Sequence, residues 1–244
     1  MHATIQKPIE EILSYLKPGE KVFVVGCGNC AEKCHSGGPK ETEEMAARLK
    51  AKGVNVVGYG STESGKSLCK LSLAKKMLME DHGDETSRAD SFIVLACGQG
   101  VHTVIDATDG GYVHPGCDTI FGGETYDDNY IKEYCSLCGE CIIEYTGGLC
   151  PVTLCPKGLL NGPCGGSKDG KCEVNDQQDC GWQLIYDRLK SIGRIDMIEV
   201  YREPKNYARW SKPRWLDIDV EGKKSTFNSL AGEHTVYRTE EVKK

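Results

Sequence analysis

The residues in this chain with the most chemical capacity are its fourteen cysteines. The tightest group is Cys135-Ser-Leu-Cys138-Gly-Glu-Cys141, a C-x2-C-x2-C run. Such spacing lets one short stretch of backbone offer several sulfurs to one iron–sulfur cube, the fourth ligand coming from farther along. Cys150, Cys155, Cys164, Cys172 and Cys180 follow, so eight thiols lie between positions 135 and 180. Eight thiolates match two 4Fe–4S clusters. One division takes Cys135, Cys138 and Cys141 with a distal cysteine and leaves the second set among Cys150, Cys155, Cys164, Cys172 and Cys180. Tetrahedral zinc also accepts four thiolates. It competes most closely with iron in the set Cys150, Cys155, Cys164 and Cys172.

A second group lies upstream, in Gly26-Cys27-Gly28-Asn29-Cys30-Ala-Glu-Lys-Cys34. It directly follows a predicted strand. Cys97 directly follows another, and Cys69 sits near the start of a predicted helix at the same edge. Five thiols therefore converge by topology, and a 4Fe–4S cluster needs four, with glycine loops able to donate N–H groups to its sulfides. Which four bind stays open, since Cys27 also suits a buried structural position. The alternative for the whole group is a set of reduced core thiols, because free cysteine packs as a small hydrophobe. His35 and His102 lie beside these cysteines and read as loop histidines. His114 is expected in a turn before Pro115, and Cys117 as a buried structural thiol.

One motif points elsewhere. Gly60-Ser-Thr-Glu-Ser-Gly65-Lys66-Ser67 fits the phosphate-binding G-x4-G-K-[ST] pattern. It follows the second predicted strand rather than the first. The next strand ends Leu95-Ala96-Cys97, without an acidic residue for Mg²⁺. A solvated turn opening a helix is the expectation.

The elements that must position these thiols can be read from periodicity. Ile5, Ile9, Ile12, Leu13 and Leu16 recur at helical spacing and predict an opening amphipathic helix, stopped by Pro18-Gly19. Strands are predicted over 21–26, 54–59 and 91–96, with a short fourth over 119–121. Helices are predicted from Pro39 to Gly53, over 68–79 and from Val101. Alternating strands and helices imply an α/β fold, a small doubly wound parallel sheet with its sites at the carboxyl ends of the strands. This domain spans 1–128. Residues 129–195 form a Cys/Gly-rich segment with little hydrophobic periodicity, which bound metal would have to organise. It closes with a helix carrying Trp182, Ile185, Leu189 and Ile192. Residues 196–244, with Pro204, Trp210, Pro213 and Trp215, read as an extended arm.

With 244 residues the chain is long enough for one large or two small cores. A net charge of −6 argues against nucleic acid or an anionic membrane as partner. No run approaches the roughly 20 apolar residues of a membrane span, and no signal peptide is evident. A cytoplasmic location follows, where cysteines serve metals or redox chemistry rather than disulfides. No acid–base pair or oxyanion site stands out, so the residues favour a non-catalytic electron-transfer role. The rivals are a zinc-stabilised scaffold that docks a catalytic partner and a nucleotide-dependent metallochaperone using Gly60 to Ser67.

The run Thr146-Gly-Gly-Leu-Cys150-Pro-Val-Thr-Leu-Cys155-Pro-Lys-Gly-Leu-Leu-Asn161-Gly-Pro-Cys164-Gly-Gly, ending near Gly170-Lys-Cys172-Glu, resembles the methylenetetrahydrofolate reductase C-terminal domain family. Cys27-Gly-Asn-Cys30, Cys34-His-Ser-Gly-Gly and Leu95-Ala-Cys97-Gly-Gln-Gly-Val resemble its small iron–sulfur, MetV-like subunit form of acetogen-type enzymes of the Wood–Ljungdahl pathway. The likeness runs from about Lys21 to Ile192. It implies a heteromeric oxidoreductase of one-carbon metabolism. Its partner would be a TIM-barrel subunit bearing FMN or FAD, and its donor a ferredoxin or a heterodisulfide-reductase-like carrier. It implies two to three 4Fe–4S clusters, with ligands on Cys30, Cys34, Cys69 and Cys97 and on the run from Cys135 through Cys180. The Gly60–Ser67 loop and Cys117 are not part of that pattern.

Overall fold

A computed structural model describes residues 1–127, 130–210, 212, 214–218 and 225–229. The chain divides into two compact units, Met1–Glu133 and Tyr134–Lys244. The boundary expected at residue 128 lies outside the described residues.

The first unit is a mixed α/β structure built on a four-stranded parallel sheet. Its strands are β2 (Lys21–Gly26), β3 (Asn55–Ser61), β4 (Ser91–Leu95) and β5 (Val113–Pro115), in the order β3-β2-β4-β5. The central strands β2 and β4 are nearly continuous apolar runs, Val-Phe-Val-Val and Phe-Ile-Val-Leu, as strands buried on both faces must be. On one face Phe23, Val25, Phe92 and Val94 pack with Leu68, Met77, Leu78 and Val104. On the other, Val22, Val24, Ile93 and Leu95 pack with Ile9, Ile12, Met45 and Leu49. Each such side chain, fully buried, contributes about 1.5–3 kcal/mol, so this unit has a core of its own.

Helix α1 (Ile9–Tyr15) and α3 (Pro39–Ala51) supply the second of those faces. Pro39 opens α3, where a missing N–H costs nothing, and the Glu41 carboxylate accepts the Gly38 N–H at 3.0 Å. The first face is covered by α4 (Leu71–Lys75), which runs into a π-helical turn at Lys76–Asp81, and by α6 (Gly98–Ala107). Two four-residue helices, α2 (Cys30–Lys33) and α5 (Gly83–Thr86), complete the set.

Three expectations are corrected. The opening residues are not helical: β1 (His2–Gln6) pairs antiparallel with β6 (Cys117–Gly122), and α1 begins only after Pro8. The helical spacing from Ile5 onward is therefore accidental at its first member; Ile5 is 61% exposed while Ile9 and Ile12 are buried. The fourth strand of the parallel sheet is β5, and the segment 119–121 belongs to the β1–β6 ribbon. His114 is not in a turn but buried in β5, where its Nε2 meets Glu20 Oε1 at 2.9 Å. A further hairpin, β7 (Glu124–Asp127) with β8 (Tyr130–Lys132), follows.

The second unit has little regular structure before α8 (Gly181–Ser191). A 3₁₀ turn covers Ile143–Thr146, and α7 (Pro151–Leu154) is a single turn. Trp182, Ile185 and Leu189 are buried as their spacing predicts, whereas Ile192 caps the helix end and is 41% exposed. With Cys180 they form the small core of this unit, against Leu149, Cys155, Leu159, Met197 and Ile198. Of the expected arm, the described part contains 3₁₀ turns at Ile195–Glu199 and Tyr207–Trp210 and an antiparallel ribbon of β9 (Arg214–Ile218) with β10 (Ser225–Ser229). Pro213, residues 219–224 and residues 230–244 lie outside the described residues.

Candidate metal centres

Because β3, β2 and β4 are adjacent and parallel, the loops leaving their carboxyl ends share one edge of the sheet. Cys27 leaves β2, Cys30 opens α2, Cys69 ends the loop after β3, and Cys97 is the residue before α6. Cys27 and Cys97 are buried, Cys30 is half-buried, and Cys69 is exposed. Cys69 has its thiol pushed above the ordinary value, first by the packed atoms around it and then by Cys97, Cys27 and Cys30. Three thiols thus lie within electrostatic reach of Cys69. Their ionised forms repel, and a bound cationic centre is what would relieve the repulsion.

The loops are fastened to each other. Gly28 N–H donates to Thr62 Oγ1 at 2.9 Å, Gly65 N–H to Gly28 O at 2.5 Å, and Asn29 Nδ2 to Ser67 Oγ at 2.6 Å. Ser64 Oγ donates to Glu32 Oε1 at 2.7 Å, and the Leu68 N–H points at Cys27 Sγ at 3.5 Å. A Cβ on Gly28 would stand 2.2 Å from Glu63 O, so only glycine lets the two backbones approach this closely. The Gly60–Ser67 segment spends these groups bracing the cysteine loop. The helix after it starts only at Leu71, four residues beyond Ser67, so no helix N-terminus follows the Lys-Ser pair as a phosphate cradle requires.

Cys34, with Cys97, lies within electrostatic reach of Cys117. The Cys34 Sγ accepts the Thr4 N–H at 3.4 Å and donates to His2 O at 3.7 Å, which ties it to β1. Cys117 is buried, donates to Ser36 O at 3.4 Å, and is pushed up to about 12 by burial, so it stays a protonated thiol. His35 and His102 are exposed; His102 pairs with Asp106 at 3.3 Å.

In the second unit, Cys135 and Cys141 are exposed and Cys138 is half-buried. Cys135 Sγ accepts the Leu137 N–H at 3.4 Å, with Leu137 held at φ +54°. Burial opposes ionisation of Cys138, but the Glu140 backbone, Lys205 and Ser136 outweigh it and hold the thiol below the ordinary value. Lys205 is anchored there through the Glu140 carbonyl. Groups that stabilise a thiolate are what a metal-binding loop supplies. Cys155, Cys164, Cys172 and Cys180 line a single cavity, while Cys150 does not; its Sγ accepts from Thr153 Oγ1 at 3.5 Å.

The donor sets fit thiolate-bound metal in chemistry. Among the described residues no group of three or more His, Cys, Asp or Glu side chains is placed to hold a metal ion. Residues 114–208 match the family model for the methylene-tetrahydrofolate reductase C terminal. The match to this reductase domain begins in β5 and takes in every cysteine from Cys117 to Cys180; Cys27, Cys30, Cys34, Cys69 and Cys97 precede it. Neither a curated protein nor a solved structure matches the chain. No helix among the described residues is long and apolar enough to cross a membrane.

Proposed function

We propose that the chain is an electron-transfer subunit of a methylenetetrahydrofolate reductase complex, holding 4Fe–4S clusters and passing electrons to or from a flavin-bearing catalytic partner. The observation that carries this reading is the meeting of Cys27, Cys30, Cys69 and Cys97 at the carboxyl edge of the parallel sheet. The match of residues 114–208 to the reductase C-terminal family supplies the enzyme. A cluster supplies one-electron redox chemistry, which a flavin can accept stepwise.

The chain's own residues would do the rest. Gly28 and the Thr62–Leu68 loop fix the cysteines' backbone, and the Leu68 N–H donates toward Cys27 sulfur, which tunes a centre's potential. Burial of Cys27 and Cys97 limits water at that side. Cys135, Cys138 and Cys141, with Lys205 beside them, form the more exposed set in the second unit, suited to exchange with an external carrier such as a ferredoxin or a heterodisulfide-reductase-like module.

The test is anaerobic purification with iron and acid-labile sulfide analysis, followed by electron paramagnetic resonance of the reduced protein. Cys69→Ser and Cys97→Ser should each remove one cluster signal and leave that of the Cys135–Cys141 set. A colourless protein without iron, or one that co-purifies with no flavoprotein, overturns the reading.

A further inference from the structure

From the second unit we infer that Cys155, Cys164, Cys172 and Cys180 form one zinc site, structural rather than redox, with Cys150 excluded from it. These four are the cysteines that line the cavity at the amino end of α8. Its volume is about 10 Å³, close to the smallest space that admits one water-sized body. That suits a single ion better than a cube of eight atoms.

The backbone brings the four together by separate means. A tight hairpin joins Cys172 to Cys180: Cys172 N–H donates to Gln178 O at 2.9 Å and Cys180 N–H to Gly170 O at 2.8 Å. Cys155 ends α7 and packs in the apolar cluster of Cys180. The contact is close because residue 181 is glycine; a Cβ there would stand 2.7 Å from Leu154 O. Cys164 Sγ accepts the Gly166 N–H at 3.4 Å, which fixes its place in the loop. The thiols line the cavity rather than close on its centre, so loading requires them to move inward.

Charge is compatible with the assignment. Four thiolates around a divalent ion leave a net negative centre. Arg202 is buried, and its two terminal nitrogens have no hydrogen-bond partner among the described residues. Its Nε donates to Leu160 O at 2.7 Å, and its guanidinium lies 5.7 Å from the centre of the Trp182 ring, which lines the same cavity. The Tyr145 ring, 5.9 Å away, shares that charge with Trp182, and a net negative zinc–thiolate centre beside Trp182 would offset it further. Lys157, also on the cavity wall, is already paired with Glu173.

The experiment uses the full chain, grown with iron and zinc both supplied and purified anaerobically, with both metals counted per chain. Wild type should carry stoichiometric zinc beside its iron. Cys164→Ser and Cys180→Ser should each lose zinc roughly tenfold or more with iron unchanged, and Cys150→Ser should keep its zinc. If the serine variants do not fold, Cys180→His keeps the question answerable. X-ray absorption at the zinc edge should then read three sulfurs and one nitrogen in place of four sulfurs, while Cys150→His reads four. Wild type without zinc, iron lost in place of zinc, or a nitrogen ligand appearing in Cys150→His overturns the assignment.

Discussion

The two units of this chain keep their cysteines in place by different physics. In the first, cysteine loops hang from a sheet whose two faces are each sealed by apolar side chains, among them Phe23, Leu78, Ile93 and Leu49. Hydrogen bonds between those loops fasten them to each other. In the second, the apolar cluster is four buried residues, one of them Cys180 itself. Such a core is too small to hold the stretch from Cys135 to Cys180 alone. On the proposed reading, metal–thiolate bonds would add there to what hydrophobic burial supplies. On that reading the same residue type is an appendage of the fold in one region and part of its framework in the other.

Metal removal is the most direct way to break this comparison, and carries the largest expected effect. Chelation under reducing conditions should leave residues 1–133 resistant to trypsin and open the segment around Lys157, Lys168 and Lys171 to cleavage, read by mass spectrometry. A second unit that stays protected without metal would erase the distinction. Phe23→Ala addresses the other side. Phe23 is fully buried between β2 and the helices of its face, so truncation should cost about 3–5 kcal/mol in chemical denaturation of the first unit. The metal-linked transition of the second unit should not move. Gly28→Ala is expected to be milder for stability, about 1–3 kcal/mol, but sharper for chemistry. Its Cβ would meet the Glu63 and Thr62 carbonyls and force the Cys27–Cys30 loop away from the Cys69 loop. Iron bound per chain should fall while the Cys135–Cys141 signal remains. Unchanged iron would show that the loop brace does not position the site.

The difference between the units also explains what was legible in the sequence. Apolar runs such as Val22–Val25 and Phe92–Leu95 announce buried parallel strands, and the cysteines after them point to one edge, which is where the sheet order places Cys27, Cys69 and Cys97. The first strand was hidden because Ile5, Ile9 and Ile12 mimic helical spacing across Pro8, and pairing of β1 with β6 is a long-range choice that no local pattern records. Short β5 escaped because His114 and Pro115 read as turn residues; the buried partner that makes a histidine acceptable there, Glu20, is 94 residues away. In the second unit the identity of the thiols was plain but their grouping was not. Which cysteine shares a cavity with Cys155 depends on the hairpin from Gly170 to Cys180 and on the approach of Gly181 to Leu154, and spacing encodes neither. The contacts of Cys34, at the end of α2, with Thr4 and His2 of β1 are likewise long-range and not encoded in spacing.

The smallest expected effect comes from the polar pin at the opposite edge of the first unit, and it asks whether that unit is held by burial alone. Burial works against the charge of Glu20, but hydrogen bonds from Ser91 (2.5 Å) and His114 (2.9 Å) and from the Lys17 N–H (2.7 Å) outweigh it and hold the carboxyl below its ordinary range. A carboxylate whose folded value is depressed adds stability that is present in full above its ordinary value of 4.5 and is lost as pH falls through the folded value. Glu20→Gln removes the charge but keeps one acceptor oxygen, so the cost at neutral pH should be about 1 kcal/mol, the net worth of one hydrogen bond. Urea denaturation of wild type and variant across the acid range checks this. The gap between them should be widest near neutrality and close as the pH drops below 4.5. A gap that is constant with pH would mean that Glu20 acts by shape rather than by charge, and that burial alone accounts for the first unit.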